Sequence, residues 1–342
     1  MPQRFTERRV THIASEGAKR FEGGRRPAAP ADGFTARNLI SVDDLSLSDI
    51  KFILHLTEYY ASYLKMGARP AQRLAGKTQI NLFFESSTRT NMSFELAGKK
   101  LGADVINVPV AASSVNKDES LVDTAQTLAA MAAHVMILRH CQPGVQSELQ
   151  AILPCPIVNA GDGAREHPTQ ALLDAATIRS AFGTMAGLVV AICGDVRHSR
   201  VAASDAKLFK RLGMDVRFVG PTRLMPDDHE MPAVPRFDNL KDGLHGADVV
   251  MALRMQFERM GADADETADR ASYFSSFGLT HETMRHAKDS ACVMHPGPMN
   301  RGIEICGELA DDPARSLVLS QVFYGVPTRM ACLDAILCRN GD

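Results

Sequence analysis

The sequence contains no Cys-x-x-Cys pair and no closely spaced Cys/His set. A structural zinc wants such pairs, so no metal site is expected. The seven cysteines, Cys141, Cys155, Cys193, Cys292, Cys306, Cys332 and Cys338, are scattered, most of them in apolar runs such as 189–193. They read as buried thiols of a reducing compartment, and the expected location is the cytoplasm. No apolar run approaches the ~20 residues that span a bilayer. The N-terminus lacks the long apolar stretch of a secretory signal. Excess charge is missing as well: 38 Lys+Arg against 40 Asp+Glu leave a formal net charge of −2. Nothing therefore draws the whole chain to nucleic acid or to an anionic membrane, although a local basic pocket for a small anion is compatible with that balance. The Walker A pattern is absent, and residues 194–199 (Gly-Asp-Val-Arg-His-Ser) do not supply Gly-x-Gly-x-x-Gly. Nucleotide binding by the first route and dinucleotide-dependent redox chemistry by the second are thereby disfavoured. No triad for a covalent intermediate stands out.

What is present is a chain of 342 residues, 45% hydrophobic, enough for two ordinary domains with sizeable cores. Residues 1–34 stand apart. They carry Arg4, Arg8, Arg9, Lys19, Arg20, Arg25 and Arg26 and then a Pro/Ala/Gly stretch. This reads as a mobile tail, with a partner-docking segment as the alternative. Glu7, Glu16 and Glu22 speak against an organelle transit peptide.

After the tail, apolar residues at helical spacing predict a helix over 48–64 with Ser48 as its N-cap. A buried strand is expected at 79–84, a helix at 91–101, a strand at 104–108, a helix at 121–133 and a strand at 135–138. A long helix begins at Pro168, since proline is well tolerated in a first helical turn. The pattern then restarts with strand 188–193, helix 202–212 and strands 215–219, 248–252 and 292–294. The stretch 317–337 is helical and apolar on more than one face. Strand and helix alternating in this way predict an α/β fold: two open parallel-sheet domains with helices on both faces, joined by long helices. The expected division is 35–168, completed by a C-terminal helix at 323–342, and 169–322.

Several short segments carry chemistry. Ser86-Ser87-Thr88-Arg89-Thr90 follows a strand and opens a helix. A helix start offers unpaired N–H groups and partial positive charge, and hydroxyls with a guanidinium would complete a phosphate cradle. The alternative is an N-cap with a surface arginine. His167-Pro168-Thr169-Gln170 is expected at a loop-to-helix junction after the loop 159–163. A histidine there can donate to a developing oxyanion, and Gln170 can accept from an amide NH2; the alternative is a capping histidine. Arg139, Arg200, Arg254 and Gln256 come after strands, where open α/β sheets place ligands. Two arginines of one domain can each grip a carboxylate, or each can be a surface ion-pair partner. The polar run 113–119 (Ser-Ser-Val-Asn-Lys-Asp-Glu) is a mobile lid, a loop that reaches a neighbouring chain, or an ordinary connection. In His295-Pro296-Gly297-Pro298 two prolines fix the backbone around a glycine, and a cis bond at Pro298 is one of the conformations open to it.

Together these segments resemble the carbamoyltransferase family over roughly residues 36–340. Residues 83–90 (Phe-Phe-Glu-Ser-Ser-Thr-Arg-Thr) resemble its carbamoyl-phosphate signature, and 167–170 its second signature. Three features resemble the aspartate branch: the run 113–119, Arg254-Met255-Gln256, and 295–302 (His-Pro-Gly-Pro-Met-Asn-Arg-Gly). The His-Cys-Leu-Pro and Asp…Ser-Met-Gly segments of the ornithine branch are absent. The resemblance implies carbamoyl transfer to L-aspartate, for pyrimidine biosynthesis, without a cofactor. It implies that Ser87, Thr88, Arg89 and Thr90 hold the phosphate, that Arg139, His167 and Thr90 polarise the carbamoyl oxygen, and that Gln170 holds the carbamoyl nitrogen. Ser113 and Lys117 would come from an adjacent subunit of a homotrimer with shared sites, Lys117 also reaching the aspartate. Arg200, Arg254 and Gln256 would bind aspartate, and the backbone at Gly297 and Pro298 would meet both substrates. A regulatory or dihydroorotase-like chain is a further partner of the kind such trimers take. Two residues depart from the family pattern: Asp118 stands where glycine is frequent, and Phe257 where a basic residue is frequent.

Overall fold

The computed structural model describes residues 24–109, 119–227, 231, 234–256 and 266–338. Among them the chain divides into two compact units, one of 24–176 with 322–338 and one of 177–321.

The first unit begins with α1 (Leu47–Lys65), β1 (Thr78–Phe83), α2 (Thr88–Lys100), β2 (Asp104–Val108), α3 (Leu121–Ala130), β3 (Val135–His140), α4 (Val145–Gln150) and β4 (Ile157–Asp162), and reaches into α5 (Pro168–Phe182). Its sheet runs β2-β1-β3-β4, and all of its pairings are parallel. Side chains on a strand alternate between faces, and the two faces of β1 are covered differently. Leu82 packs with Met136, Leu138 and Ile157 against Ala125 and Ala129 of α3 and Val145 and Leu149 of α4. On the opposite face Gln79 donates from Nε2 to the carbonyl of Phe94 in α2 at 3.1 Å. Gly98 permits that approach, because a Cβ there would run into the Gln79 amide. Helices therefore lie on both faces of this sheet.

Two local expectations are corrected. The N-cap of α1 is Ser46, not Ser48: its Oγ accepts from Asp49 N at 3.1 Å and Asp49 Oδ2 accepts from Ser46 N at 3.1 Å, a reciprocal capping box. Residues 159–162, expected in a loop, are the last four residues of β4, and all of them are buried. Asn159, Gly161 and Asp162 hide the strand signal in the sequence. Burial is tolerated because the Asn159 amide donates to the carbonyls of Ile40 at 2.8 Å and Glu166 at 3.2 Å.

The second unit takes in the end of α5, then β5 (Val189–Cys193), α6 (Arg200–Arg211), β6 (Asp215–Val219), β7 (Arg236–Phe237), α7 (Leu240–Leu244), β8 (Val249–Ala252), α8 (Glu266–Phe277), β9 (Cys292–Met294), α9 (Gly307–Ala310) and the start of α10 (Val318–Leu337). Strand order is β7-β6-β5-β8-β9, again parallel throughout. Ala191, Cys193, Val219, Val250, Ala252 and Val293 form its core with Leu240, Leu244, Leu279 and Leu309. The four- and five-residue helices α9 and α7 and the two-residue β7 are too short to leave a period in the sequence.

Most of α10 belongs to the first unit, and Met330, Ala331, Cys332, Leu333, Ala335 and Ile336 are all buried there. Residues 1–23 of the expected tail lie outside the described residues. In 24–34, Arg26 donates to both carboxylate oxygens of Asp334 at 2.9 and 3.1 Å and lies over the Phe52 ring, so this stretch is fastened to the first unit. All seven cysteines are free; Cys141 is exposed and Cys306 half-buried, against the expectation of uniformly buried thiols. Among the described residues no helix is long and apolar enough to cross a membrane, and no group of three or more His, Cys, Asp or Glu side chains is placed to hold a metal ion.

Candidate active site

An open parallel sheet leaves a crevice at its carboxyl edge wherever successive crossovers leave in opposite directions. In the first unit this happens between β1 and β3, because the chain passes from β1 outward to β2 and returns to β3 on the other side. The loop after β1 carries residues 84–87, and Arg139, the penultimate residue of β3, is paired in register with Phe83. Ser87 is the N-cap of α2 but makes no capping bond; its hydroxyl donates instead to Thr90 Oγ1 at 2.9 Å. The first turn of α2 has no acidic residue. Its N–H groups and the Ser87, Thr88 and Thr90 hydroxyls thus collect at one helix start, an arrangement suited to an anion. Arg89 stands in the same turn with no ion-pair partner among the described residues. Desolvation holds its guanidinium below the ordinary value.

Arg139 is fixed on two sides: one amino group donates to the carbonyl of Ala160 at 3.1 Å and the other to Glu85 Oε1 at 2.6 Å. His167, almost fully buried, immediately precedes Pro168 and accepts on its carbonyl from Gln170 N at 2.9 Å. Glu166 holds that corner, accepting from Ser41 Oγ at 2.6 Å and Val42 N at 2.9 Å. Gln170 lies one turn on, and its Nε2 donates to both oxygens of Asp174 at 3.1 Å.

The second unit switches direction between β5 and β8. Gly194, at φ +129°, leaves β5 where a side chain would strike the carbonyl of Leu253, so the exits of the two strands run close together. Arg200 opens α6 behind Ser199, whose hydroxyl accepts from Ala202 N at 3.2 Å. Arg254 and Gln256 follow β8, and Gln256 Nε2 donates to the carbonyl of His198 at 2.9 Å. His198 Nδ1 contacts Asp195 Oδ1 at 2.9 Å. Burial pushes the Asp195 carboxyl up, against the pull of His198.

The loop after β9 leaves the same sheet edge. Gly297 N donates to His295 Nδ1 at 2.8 Å, so His295 Nε2 carries the proton and donates to Glu304 Oε1 at 3.0 Å. The same oxygen accepts from Asn300 N. One buried carboxylate oxygen therefore holds both ends of 295–300, and the Gly297–Pro298 bond is cis. Pro296 and Pro298 have no N–H, and that of Gly297 is used internally. The backbone of 296–298 therefore offers a ligand only acceptors.

Ser87, Thr88, Arg89, Thr90, Arg139, His167 and Gln170 are thus gathered in one unit, and Arg200, Arg254, Gln256, Gly297 and Pro298 at one sheet edge of the other. Ser113, Lys117, Asp118 and Phe257 lie outside the described residues. Sequence reasoning passed over Glu85, Asp174, Asp195, Glu304 and Arg329. Only Asp174 had a local signal, its spacing of four from Gln170 on a predicted helix.

The chain as a whole is similar to known proteins. The family model described as "Aspartate/ornithine carbamoyltransferase, carbamoyl-P binding domain" matches residues 37–180, and "Aspartate/ornithine carbamoyltransferase, Asp/Orn binding domain" matches 186–336. The chain is 50% identical over 303 residues to the aspartate carbamoyltransferase catalytic subunit of Parvibaculum lavamentivorans, covering 89% of this chain and 92% of that one. It is 50% identical over 314 residues to the same subunit of a Chelativorans species, covering 90% and 97%. Crystal structures of aspartate transcarbamoylase from Trypanosoma cruzi are similar. The complex with carbamoyl phosphate gives a TM-score of 0.80 at 34% identity, over 89% of this chain and 97% of that one. The complex with N-(phosphonacetyl)-L-aspartic acid gives 0.80 at 34%, over 90% and 98%.

Proposed function

This chain belongs to the aspartate/ornithine carbamoyltransferase family, and on that premise we propose that it moves the carbamoyl group of carbamoyl phosphate to the amino group of L-aspartate. The products are N-carbamoyl-L-aspartate and phosphate, a step of pyrimidine biosynthesis. The observation that carries the choice of aspartate is the pair Arg200 and Arg254 behind the adjacent strands β5 and β8, with Gln256 bonded to the loop that leads from β5 to Arg200. A dicarboxylate wants guanidinium groups, whereas ornithine's distal ammonium wants an acid.

The open first turn of α2 receives the phosphate, with Ser87, Thr88, Arg89 and Thr90 as its donors. Arg139, His167 and Thr90 aim donors at the carbamoyl oxygen, which becomes an oxyanion when the aspartate amine attacks the carbonyl carbon. The new C–N bond forms, the C–O bond to phosphate breaks, and phosphate leaves with the electron pair and is itself available to take the amine proton. Gln170 accepts from the carbamoyl NH2. The acceptor-only backbone at Gly297 and Pro298 suits N–H donors of either substrate and repels phosphate. Positioning and oxyanion stabilisation suffice without a covalent intermediate or cofactor.

In this reading Ser113 and Lys117 complete the phosphate site from a neighbouring subunit, the working form is a homotrimer, its location is the cytoplasm, and a regulatory or dihydroorotase-like chain is a candidate further partner. The substrate assignment is tested by assaying the purified chain with carbamoyl phosphate and either aspartate or ornithine. Ureido product from aspartate alone is expected. Turnover with ornithine but not aspartate overturns the reading.

A further inference from the structure

A primary amide has two nearly isosteric ends, one accepting and one donating. Gln170 by itself would therefore present either end to a ligand, and a site that needs an acceptor must fix the amide's orientation. The Gln170 Nε2 stands 3.1 Å from Asp174 Oδ1 and 3.1 Å from Oδ2. A carboxylate only accepts, so the reversed amide would lose both bonds and set its oxygen against two others. The two residues are one helical turn apart on α5, with Gln170 8% and Asp174 0% exposed, so water has little access to replace the lost bonds. The Arg329 guanidinium is buried 4.8 Å over the Phe94 ring, and its charge and that of Asp174 attract. A cation is thus present to balance the carboxylate away from water.

We propose that Asp174 is a positioning residue that holds the Gln170 amide with Oε1 toward the ligand, and so sets the preference for a donor bearing NH2 over one bearing CH3. The inference rests on the assignment of Gln170 to the carbamoyl nitrogen. Asp174 touches no substrate and acts only through Gln170.

Two non-reacting phosphonates isolate the effect. Phosphonoacetamide and acetonylphosphonate share the phosphonate and the carbonyl and differ as NH2 against CH3. Their inhibition constants against carbamoyl phosphate are measured on the full chain, with inorganic phosphate as a control for the anion site. The wild-type protein should prefer the amide by about tenfold, the size of one well-placed hydrogen bond. Asp174→Asn offers a donor as well as an acceptor and frees the amide to reverse. It should reduce the preference to about twofold or less, while phosphate inhibition moves by less than about twofold. In a Gln170→Ala background Asp174→Asn should change the preference no further. Asp174→Glu, still acceptor-only, should retain most of it. Asp174→Ser is the substitute where Asp174→Asn yields no folded protein.

An undiminished preference in folded Asp174→Asn and Asp174→Ser overturns the proposal. So does an equal loss with and without Gln170. Failure of both phosphonates to inhibit the wild-type protein sinks the parent assignment instead, which keeps the two failures apart.

Discussion

Gln256 donates from its side-chain amide to the backbone carbonyl of His198 at 2.9 Å. These residues are 58 positions apart, on segments leaving β8 and β5, and the bond joins the two strand exits that carry Arg254 and Arg200. Because the His198 ring contacts Asp195 on the same loop, the amide orders one side of the proposed aspartate site rather than a lone side chain. Gln256→Ala removes this tie. A hydrogen bond of about 0.5–1.5 kcal/mol corresponds to a rise of about two- to tenfold in the KM for aspartate. The KM for carbamoyl phosphate should stay put, which steady-state kinetics with each substrate varied will check.

His167→Ala should lower kcat by about 10²–10³, the usual cost of one oxyanion donor. Inhibition by inorganic phosphate should change little, since the proposed phosphate donors sit on α2. Retained turnover in this variant would remove His167 from the mechanism.

The shared-site reading predicts complementation. Arg89→Ala chains and Lys117→Ala chains, each nearly inactive, are mixed, dissociated and reassembled. Some sites of the hybrids then contain neither defect, and partial activity should return. A mixture no more active than its components argues for sites complete within one chain.

Asp334 is a hub of the first unit. Fully buried, it accepts from Arg26 and Tyr60 and also from Arg73 Nε at 3.3 Å. Asp334→Ala leaves these donors without their acceptor and should destabilise the protein by about 3–5 kcal/mol. Chemical denaturation followed by circular dichroism measures the shift, and a loss under about 1 kcal/mol would contradict it.

Acid stability should register the α1 capping box. Burial alone would raise the Asp49 carboxyl, but hydrogen bonds from Thr35 and Ser46 outweigh it and leave the group below its ordinary value. The unfolded chain then binds the proton more readily than the folded one. The stabilisation is present above the ordinary carboxylate range and is lost as pH falls through the lower folded value. Asp49→Asn should flatten the fall in stability below about pH 4, as seen in denaturation midpoints taken across acid pH.

Much of this architecture was legible in the residues alone. Strands such as 104–108, 215–219 and 292–294 announce themselves by short apolar or β-branched runs, and the helix starting at Pro168 by its proline. β4 did not, because Asn159, Gly161 and Asp162 look like a loop until their buried hydrogen bonds are known. Ser46 and Ser48 are chemically equivalent candidates for one cap, and only the reciprocal bond with Asp49 separates them.

The sequence by itself determined the α/β class, the chemical character of the two half-sites and the family, since these depend on residue type and short-range order. Tertiary structure alone decided the rest. It aligned Arg139 with Phe83, brought Gln256 to His198, joined both ends of 295–300 on a single Glu304 oxygen and faced the Gln170 amide with the Asp174 carboxylate. The first three join partners far apart in the chain or meeting across a turn, and the last is a matter of side-chain orientation. Local propensity carries no record of which buried donor finds which acceptor; that is settled when the strands stack and water is excluded.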